Sequence, residues 1–341
     1  MARSWEVELD PQAMHAALQA LAPRLVPGGG EIGDLRRLSG GASQETWAFI
    51  VNDGARPTPL IMRRRPAHAL GEAEGRALPL AMEARLIRAA AAQGAPTPDV
   101  IHVCAAEDGL GEAYVMARVA GETLGSRIVR NEAFAKVRPG LARRCGEVLG
   151  RIHATSLDPL AELPMSDAAS ELARYEAVYR GLDARRPVFE AALAHLKAHA
   201  PPLVRPVLAH GDFRNGNLIV DPERGLAAVL DWELAHRGDP AEDLGWICVN
   251  SWRFGEHRKP VGGFGTYEDL LEGYAAAGGE PPSLERLLYW QMLGSLKWGV
   301  MCLMMYASYA VGADLSVERA MIGRRASETE IDLVALLERA A

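Results

Sequence analysis

The sequence has little cysteine: four residues in 341, Cys104, Cys145, Cys248 and Cys302, far apart and with no Cys-x-x-Cys pair. A disulfide framework or a zinc site of paired cysteines is therefore excluded, and a reducing, cytoplasmic setting is the expectation. Positive charge is not in excess. Lys plus Arg is 37 against 44 for Asp plus Glu, a net charge of -7. That is a poor match to a broad nucleic-acid face, although a local basic pocket could still hold an anion. The first ten residues carry charges and no apolar segment, so no signal peptide is expected. The most apolar stretch, 298–313, falls short of the ~18–20 residues that span a bilayer, and reads as a buried core helix with no membrane partner. There is no Gly-x-x-x-x-Gly-Lys-Ser/Thr loop and no Gly-x-Gly-x-x-Gly after a strand. A Gly-x-Ser-x-Gly elbow and a His-Glu-x-x-His helix are also missing. P-loop, Rossmann, serine-hydrolase and zincin chemistry therefore have no support.

What is present is ordinary globular material, 49% hydrophobic and 24% charged. It suffices for two domains or one two-lobed domain at roughly 100–200 residues per domain. Asp10-Pro11 is an N-cap with proline in the first turn, and Met14, Leu18, Leu21 and Leu25 follow at helical spacing. The period then changes. Strands are expected over 35–38, 46–51 and 60–62, with Gly40-Gly41 and Asn52-Asp53-Gly54 as turns. Residues 66–78 read as a loop and 80–92 as an alanine-rich helix. Strands follow at 100–104 and 113–119. After Gly121 the reading is helical over 138–153, 170–181 and 188–200. Short β segments come at 207–208, 218–220 and 228–230, and helices from Asp239 onward. The expected fold class is α+β, with a β-rich first lobe over residues 1–117 and a mostly helical second lobe over 118–341.

The informative segment is His210-Gly211-Asp212-Phe213-Arg214-Asn215-Gly216-Asn217, followed by Asp231 in Val229-Leu230-Asp231-Trp232-Glu233. A loop presents Asp212 with Arg214 and the amide of Asn217, and a short hairpin carries a second carboxylate back. Two carboxylates and an amide oxygen are hard ligands suited to magnesium. A carboxylate not needed for metal can orient a hydroxyl and take its proton. An arginine two residues on can neutralise charge on a moving phosphoryl group.

This spacing resembles the catalytic loop and magnesium-binding segment of protein kinases. The His-Gly-Asp and Leu-Asp-Trp-Glu forms, with Gly238-Asp239-Pro240-Ala241-Glu242-Asp243-Leu244-Gly245-Trp246, are similar to the aminoglycoside phosphotransferase and choline kinase-like branch. Within it, the similarity is nearest to kinase-like domains associated with acyl-CoA dehydrogenases. The resemblance implies a protein-kinase-like two-lobed fold with ATP and Mg2+ in the cleft between lobes. It implies Asp212 as catalytic base, Arg214 as stabiliser of the transferred group, and Asn217 and Asp231 as metal ligands. Gly40, Gly41 and Ser43 would form the loop over the nucleotide phosphates. Read alone, Gly40-Gly41 is also an ordinary hairpin turn. Alignment of Leu60-Ile61-Met62-Arg63 with the Val-Ala-Ile-Lys pattern puts Arg63 where the family has lysine, with Arg64 and Arg65 as competing registers. Glu83 would be its ion-pair partner, with Glu72 and Glu74 as competitors. Segment 114–119 would be the adenine-binding hinge, with Met116 and Val119 among its contacts. His153 reads as structural, and Asp239 and Asp243 as capping and loop-bracing groups.

The expected reaction is transfer of the γ-phosphoryl group to a hydroxyl of a small molecule. Between Asp231 and Asp243 there is room for only a short loop, too little to dock a protein substrate. The run of apolar and aromatic residues from Tyr289 to Tyr309, with Trp246 and Trp252, points to a partly apolar acceptor, and the resemblance to kinase-like domains associated with acyl-CoA dehydrogenases implies a hydroxyacyl-type metabolite. The rivals are a pseudokinase that binds nucleotide without turnover, favoured by the arginine at 63, and an antibiotic kinase.

Overall fold

The computed structural model describes residues 10–38, 44–54, 56–65, 78–182, 184–313 and 315–340. These divide into two compact units. One holds the described residues up to Ala120 together with Ala227–Ala235, and the other holds Gly121–Leu226 and His236 onward.

In the first unit, α1 (Pro11–Leu25) starts where the Asp10 carboxylate accepts hydrogen bonds from the N–H groups of Gln12 and Ala13. Strands β1 (Glu31–Leu38), β2 (Glu45–Asn52), β3 (Pro57–Arg64), β4 (Val100–Val103) and β5 (Ala113–Ala117) form an antiparallel sheet in the order β1-β2-β3-β5-β4. Side chains alternate between the faces of a strand. Phe49 and Val51 of β2, Leu60 and Met62 of β3 and Val115 of β5 share one face. They are buried in one cluster with Met14, Leu18, Leu21 and Leu25 of α1. The helix thus covers that face of the sheet. Because Met62 faces α1, Arg63 emerges on the other face, where it is in register with Tyr114. Helix α2 (Leu80–Ala92) carries Glu83, which is fully buried. The predicted loop at 66–78 lies outside the described residues except for Leu78. The segment 227–235 joins this unit through two backbone bonds, Val229 N–H to Pro96 O and Leu78 N–H to Glu233 O.

The second unit is helical. Its helices are α3 (Gly125–Arg130), α4 (Leu141–His153), α5 (Ala168–Gly181), α6 (Pro187–Ala198), α7 (Pro240–Trp246), α8 (Tyr267–Ala276), α9 (Leu284–Ala310), α10 (Val317–Gly323) and α11 (Ala326–Ala340). Strand β6 (Val207–Ala209) pairs antiparallel with β9 (His236–Gly238), a strand the sequence pattern did not suggest. β7 (Leu218–Asp221) and β8 (Gly225–Val229) form a hairpin, and the chain passes into the first unit within β8. Helices α4 and α8 approach so closely that a Cβ at Gly146 would lie 2.0 Å from Leu270 O and one at Gly273 1.9 Å from Arg143 O. Only glycine fits at either crossing point.

The 298–313 stretch needs a correction. Helix α9 is buried or half-buried from Arg286 to Leu303, but Met304, Tyr306 and Tyr309 are exposed. The apolar run from Tyr289 to Tyr309 is therefore not one surface. Tyr289, Trp290, Met292, Leu293 and Leu296 lie in a core with α5, α6 and α11, and Trp298 and Cys302 in another with Trp246 and Trp252. Among the described residues no helix is long and apolar enough to cross a membrane.

Candidate active site

In the second unit, β6 ends at Ala209 and the chain turns through Gly211, at φ 79°, into the loop 210–217. The loop is braced from below. Asp243, fully buried in the first turn of α7, accepts the N–H groups of His210 (2.7 Å) and Gly211 (2.9 Å). Its Oδ2 also meets His153 Nε2 at 3.0 Å, and His153 Nδ1 meets the Tyr274 hydroxyl at 2.9 Å. A carboxylate only accepts, so Nε2 carries the proton toward Asp243. Burial opposes ionisation of Asp243, but the bond from His153, the nearby His210 and its N–H outweigh it and hold the carboxyl below its ordinary range. His153 and Asp243 are thus framework for the loop. Asp239 caps α7, accepting from Ala241 N–H at 2.9 Å.

Three side chains orient the Asp212 carboxylate. Its Oδ1 accepts from Trp246 Nε1 at 2.7 Å and Arg214 Nε at 3.0 Å, and its Oδ2 accepts from Asn217 Nδ2 at 2.6 Å. Asn217 Nδ2 also donates to the Asp212 carbonyl at 3.0 Å. With both amide protons committed, the atom Asn217 has left for another partner is Oδ1, a hard oxygen. The Arg214 guanidinium donates to Asn215 O and stands 4.5 Å over the Trp252 ring. Asn215 is buried and ties the loop to Trp252 O and Gly262 O. Trp246 lies 34 residues beyond Asp212, and beneath it Lys297 places its ammonium 4.6 Å from the indole ring. Lys297 is buried, which disfavours its charge, yet Tyr175, Glu171, Glu242 and Asp212 together raise it above the ordinary lysine range.

The first unit gathers a different set. Arg63 donates from Nη2 to Asp231 Oδ1 at 2.8 Å and from Nε to Gln44 Oε1 at 2.7 Å. Gln44 in turn donates to Glu83 Oε1 at 2.6 Å and to Glu233 Oε2 at 3.2 Å. The expected direct pair of Arg63 with Glu83 is corrected accordingly: Gln44 stands between them, and Asp231 is the carboxylate on the guanidinium. Arg64 and Arg65 serve elsewhere, on Glu45 and on Glu112. Burial would pull the Arg63 guanidinium down, but Asp231, Tyr114 and Glu83 outweigh it and raise it. Asp231 has φ 65°, a left-handed conformation that aspartate tolerates better than most residues and that clusters at functional sites. The fully buried Trp232 next to it anchors the turn. Met116 is buried in β5, in register with Ile61 and Val100, and Val119 lies half-exposed just after that strand. Gly40, Gly41 and Ser43 lie outside the described residues.

Burial pushes the Glu83 carboxyl up to about 8, against the opposing pull of Arg63 and Gln44. A raised carboxyl means the folded state keeps a proton that the unfolded chain releases near pH ~4.3. Stability from this group is therefore full below that pH and is lost as pH rises to about 8. Its slope approaches ~1.4 kcal/mol per pH unit for one retained proton. Glu83→Gln should flatten this component. Urea unfolding from pH 5 to pH 9 is the test, and parallel curves for wild type and variant would show that Glu83 is ionised in the fold.

The sequence profile of the phosphotransferase enzyme family matches residues 34–284. The chain belongs to the phosphotransferase enzyme family. Among the relatives of this phosphotransferase, acyl-CoA dehydrogenase family member 11 of Gallus gallus is 27% identical over 331 residues, which is 88% of this chain and 40% of that protein. Member 10 of Mus musculus is 28% identical over 228 residues, 63% of this chain and 20% of that one. The chain thus spans less than half of either relative. Solved structures share the fold. A Ralstonia eutropha JMP134 protein assigned as an aminoglycoside phosphotransferase aligns with TM-score 0.74 and 19% identity, over 97% of this chain and 99% of that one. Choline kinase from Cryptosporidium parvum aligns with TM-score 0.63 and 10% identity, over 97% and 96%. The α+β, protein-kinase-like fold expected from the loop motif is the fold of this chain.

Two residues that contact the predicted set were missed. Gln44 follows the glycine loop directly, and its position between that loop and a strand was the available signal. Trp246 stands in the sequence reading as the end of the 238–246 motif and in an apolar run, not as a partner of Asp212, because nothing in local spacing tells which distant carboxylate an indole N–H meets.

Proposed function

We propose that this phosphotransferase moves the γ-phosphoryl group of ATP to a hydroxyl of a small, partly apolar metabolite, with Mg2+ as cofactor. The observation that supports this most is the Asp212 carboxylate, set by Trp246, Arg214 and Asn217 so that it can accept a hydroxyl proton. Arg214, already beside Asp212, supplies positive charge to the transferred group. Asn217 Oδ1 and the Asp231 carboxylate are the hard oxygens that would hold magnesium, which neutralises phosphate charge when bound. Arg63 supplies charge to the nucleotide phosphates, and its forked guanidinium differs in geometry from the family's lysine. A spectinomycin phosphotransferase structure of the same fold holds ADP, which favours an adenine nucleotide here.

The charge around Asp212 argues against an aminoglycoside. Its neighbours are an indole, an amide and the cation Arg214, with the Lys297 ammonium beneath Trp246. A polycation approaching this carboxylate meets the Arg214 guanidinium already paired with it, and like charges repel. The relatives named for acyl-CoA dehydrogenases favour a hydroxyacyl-type acceptor instead. Coupled ATP-consumption assays on kanamycin-type amines, choline and hydroxyacyl thioesters under one set of conditions test this. The thioesters should turn over best. An aminoglycoside kcat/KM near ~10⁴ M⁻¹s⁻¹ or above, in the working range of enzymes, would overturn the acceptor assignment. Turnover of none, with ATP still bound, would point to the pseudokinase reading.

A further inference from the structure

The helical unit contains a cavity, apart from the Asp212 loop, with its own chemistry. It encloses about 310 Å³ between the 253–260 segment, α8, α9 and α11. Three arginines reach it, Arg253, Arg258 and Arg339, with His257. One carboxylate, Asp332, shares the lining. In a chain of net charge -7 this is a local reversal of sign.

The cations are uncommitted to carboxylates. Among the described residues none of the three guanidinium groups forms an ion pair. Arg253 is more than nine-tenths buried and donates from Nε and Nη2 to the Cys248 carbonyl, which leaves Nη1. Arg258 and Arg339 are exposed at the rim, and Arg339 stands 5.8 Å over the Tyr267 ring. Asp332 offsets at most one of the three. Its carboxyl is bonded by the Ser295 hydroxyl, and burial raises it above the ordinary range despite Ser295, Arg253 and His257. Gln291 is buried at the floor, and its Oε1 accepts the Tyr267 hydroxyl at 2.8 Å. Its amide N–H groups are therefore the donors that remain.

We infer that this cavity binds the phosphate group of a small phosphorylated metabolite. Forked guanidinium groups match the oxygen geometry of phosphate and bind it with charge-assisted hydrogen bonds. A cavity at the lower end of the ~300–1,000 Å³ range of small-molecule sites has room for the phosphate and a short body that carries it. Pro260 and Leu336 supply apolar wall for that body. The site shares no residue with the Asp212 loop, so it stands whether or not the proposed transfer is correct.

The test uses the whole chain, with inorganic phosphate and glycerol 3-phosphate as probes in calorimetric titrations. Wild type should bind glycerol 3-phosphate saturably and more tightly than inorganic phosphate. Stronger binding of inorganic phosphate would keep the site and assign free phosphate as its ligand. Arg258→Gln with Arg339→Gln, both exposed and so compatible with folding, should raise Kd about tenfold, which is ~1.4 kcal/mol. Arg36→Gln with Arg56→Gln removes the same charge from exposed positions of the first unit and should leave Kd unchanged. Equal Kd for wild type and the 258/339 variant would overturn the inference. So would equal weakening by the 36/56 control, or no saturable binding of either probe.

Discussion

Asp212→Asn is expected to lower kcat by three or more orders of magnitude while the chain still folds and binds nucleotide. Loss of a general base alone is worth about 10²–10⁴-fold, and lost positioning adds to it. The structure adds a second reason. All three side chains on the Asp212 carboxylate are donors, on Oδ1 from Trp246 and Arg214 and on Oδ2 from Asn217. An asparagine offers only one acceptor oxygen. If that oxygen stays toward Trp246 and Arg214, its NH2 meets the Asn217 NH2, and the Asn217 amide must rotate. Rotation would withdraw Asn217 Oδ1 from the direction in which it is now offered. The variant therefore removes the base and disturbs a proposed metal ligand together. Single-turnover rates with the best acceptor, alongside calorimetric ATP binding, separate the two effects. A kcat within tenfold of wild type would show that Asp212 is not the proton acceptor.

Asp231→Asn should abolish most of the magnesium dependence of nucleotide binding. Changing groups that only support a metal's ligands already weakens affinity ~10–100-fold, and loss of a ligand carboxylate should exceed that. Asparagine is the informative replacement, because alanine would carry two further penalties. Residue 231 sits at φ 65°. Such a conformation costs an ordinary L-residue roughly 1–2 kcal/mol, and Asn is among the few that adopt it readily. Alanine would also leave Arg63, whose side chain is 12% exposed, with no side-chain acceptor at 231, whereas the asparagine oxygen can still accept from it. Titration with a non-hydrolysable ATP analogue, with and without magnesium, reads the effect. An unchanged difference between the two conditions would make Asp231 a structural partner of Arg63 only.

Local features carried a good part of this reading. Asp10-Pro11 marks the start of the first helix because a cap and a fixed φ act within one turn. The helix over 80–92 has the bounds its alanine-rich pattern indicates. The Asp212, Arg214 and Asn217 spacing was legible because these side chains meet within a single loop. Their mutual bonds span two to five residues of sequence. Fold class followed from the same loop, together with the change from β to helical periodicity.

The rest depends on which distant segments pack together. Three consecutive arginines are equivalent by composition. Only the sheet register, with Met62 turned into the α1 core, puts Arg63 on the opposite face beside Gln44 and Asp231 while Arg64 and Arg65 go to Glu45 and Glu112. Gln44 separates Arg63 from Glu83 because the strand that follows Gln44 and helix α2 are brought to one place by tertiary packing. The same holds for Trp246 on Asp212, and for Arg253, Arg258 and Arg339 around one cavity. In α9 the apolar pattern continues past the point where the helix is covered on all sides: beyond Cys302 one face still packs, through Leu303 and Met305, while Met304, Tyr306 and Tyr309 are exposed, a boundary hydrophobicity alone misplaces. Sequence by itself determined the short-range devices, the caps, periods and the spacing within the 210–217 loop, because their energetics close within a few residues. Tertiary structure alone decided the partners of Arg63, Arg64, Arg65 and Glu83, because burial and hydrogen bonding between residues far apart in the chain exist only once the segments are packed.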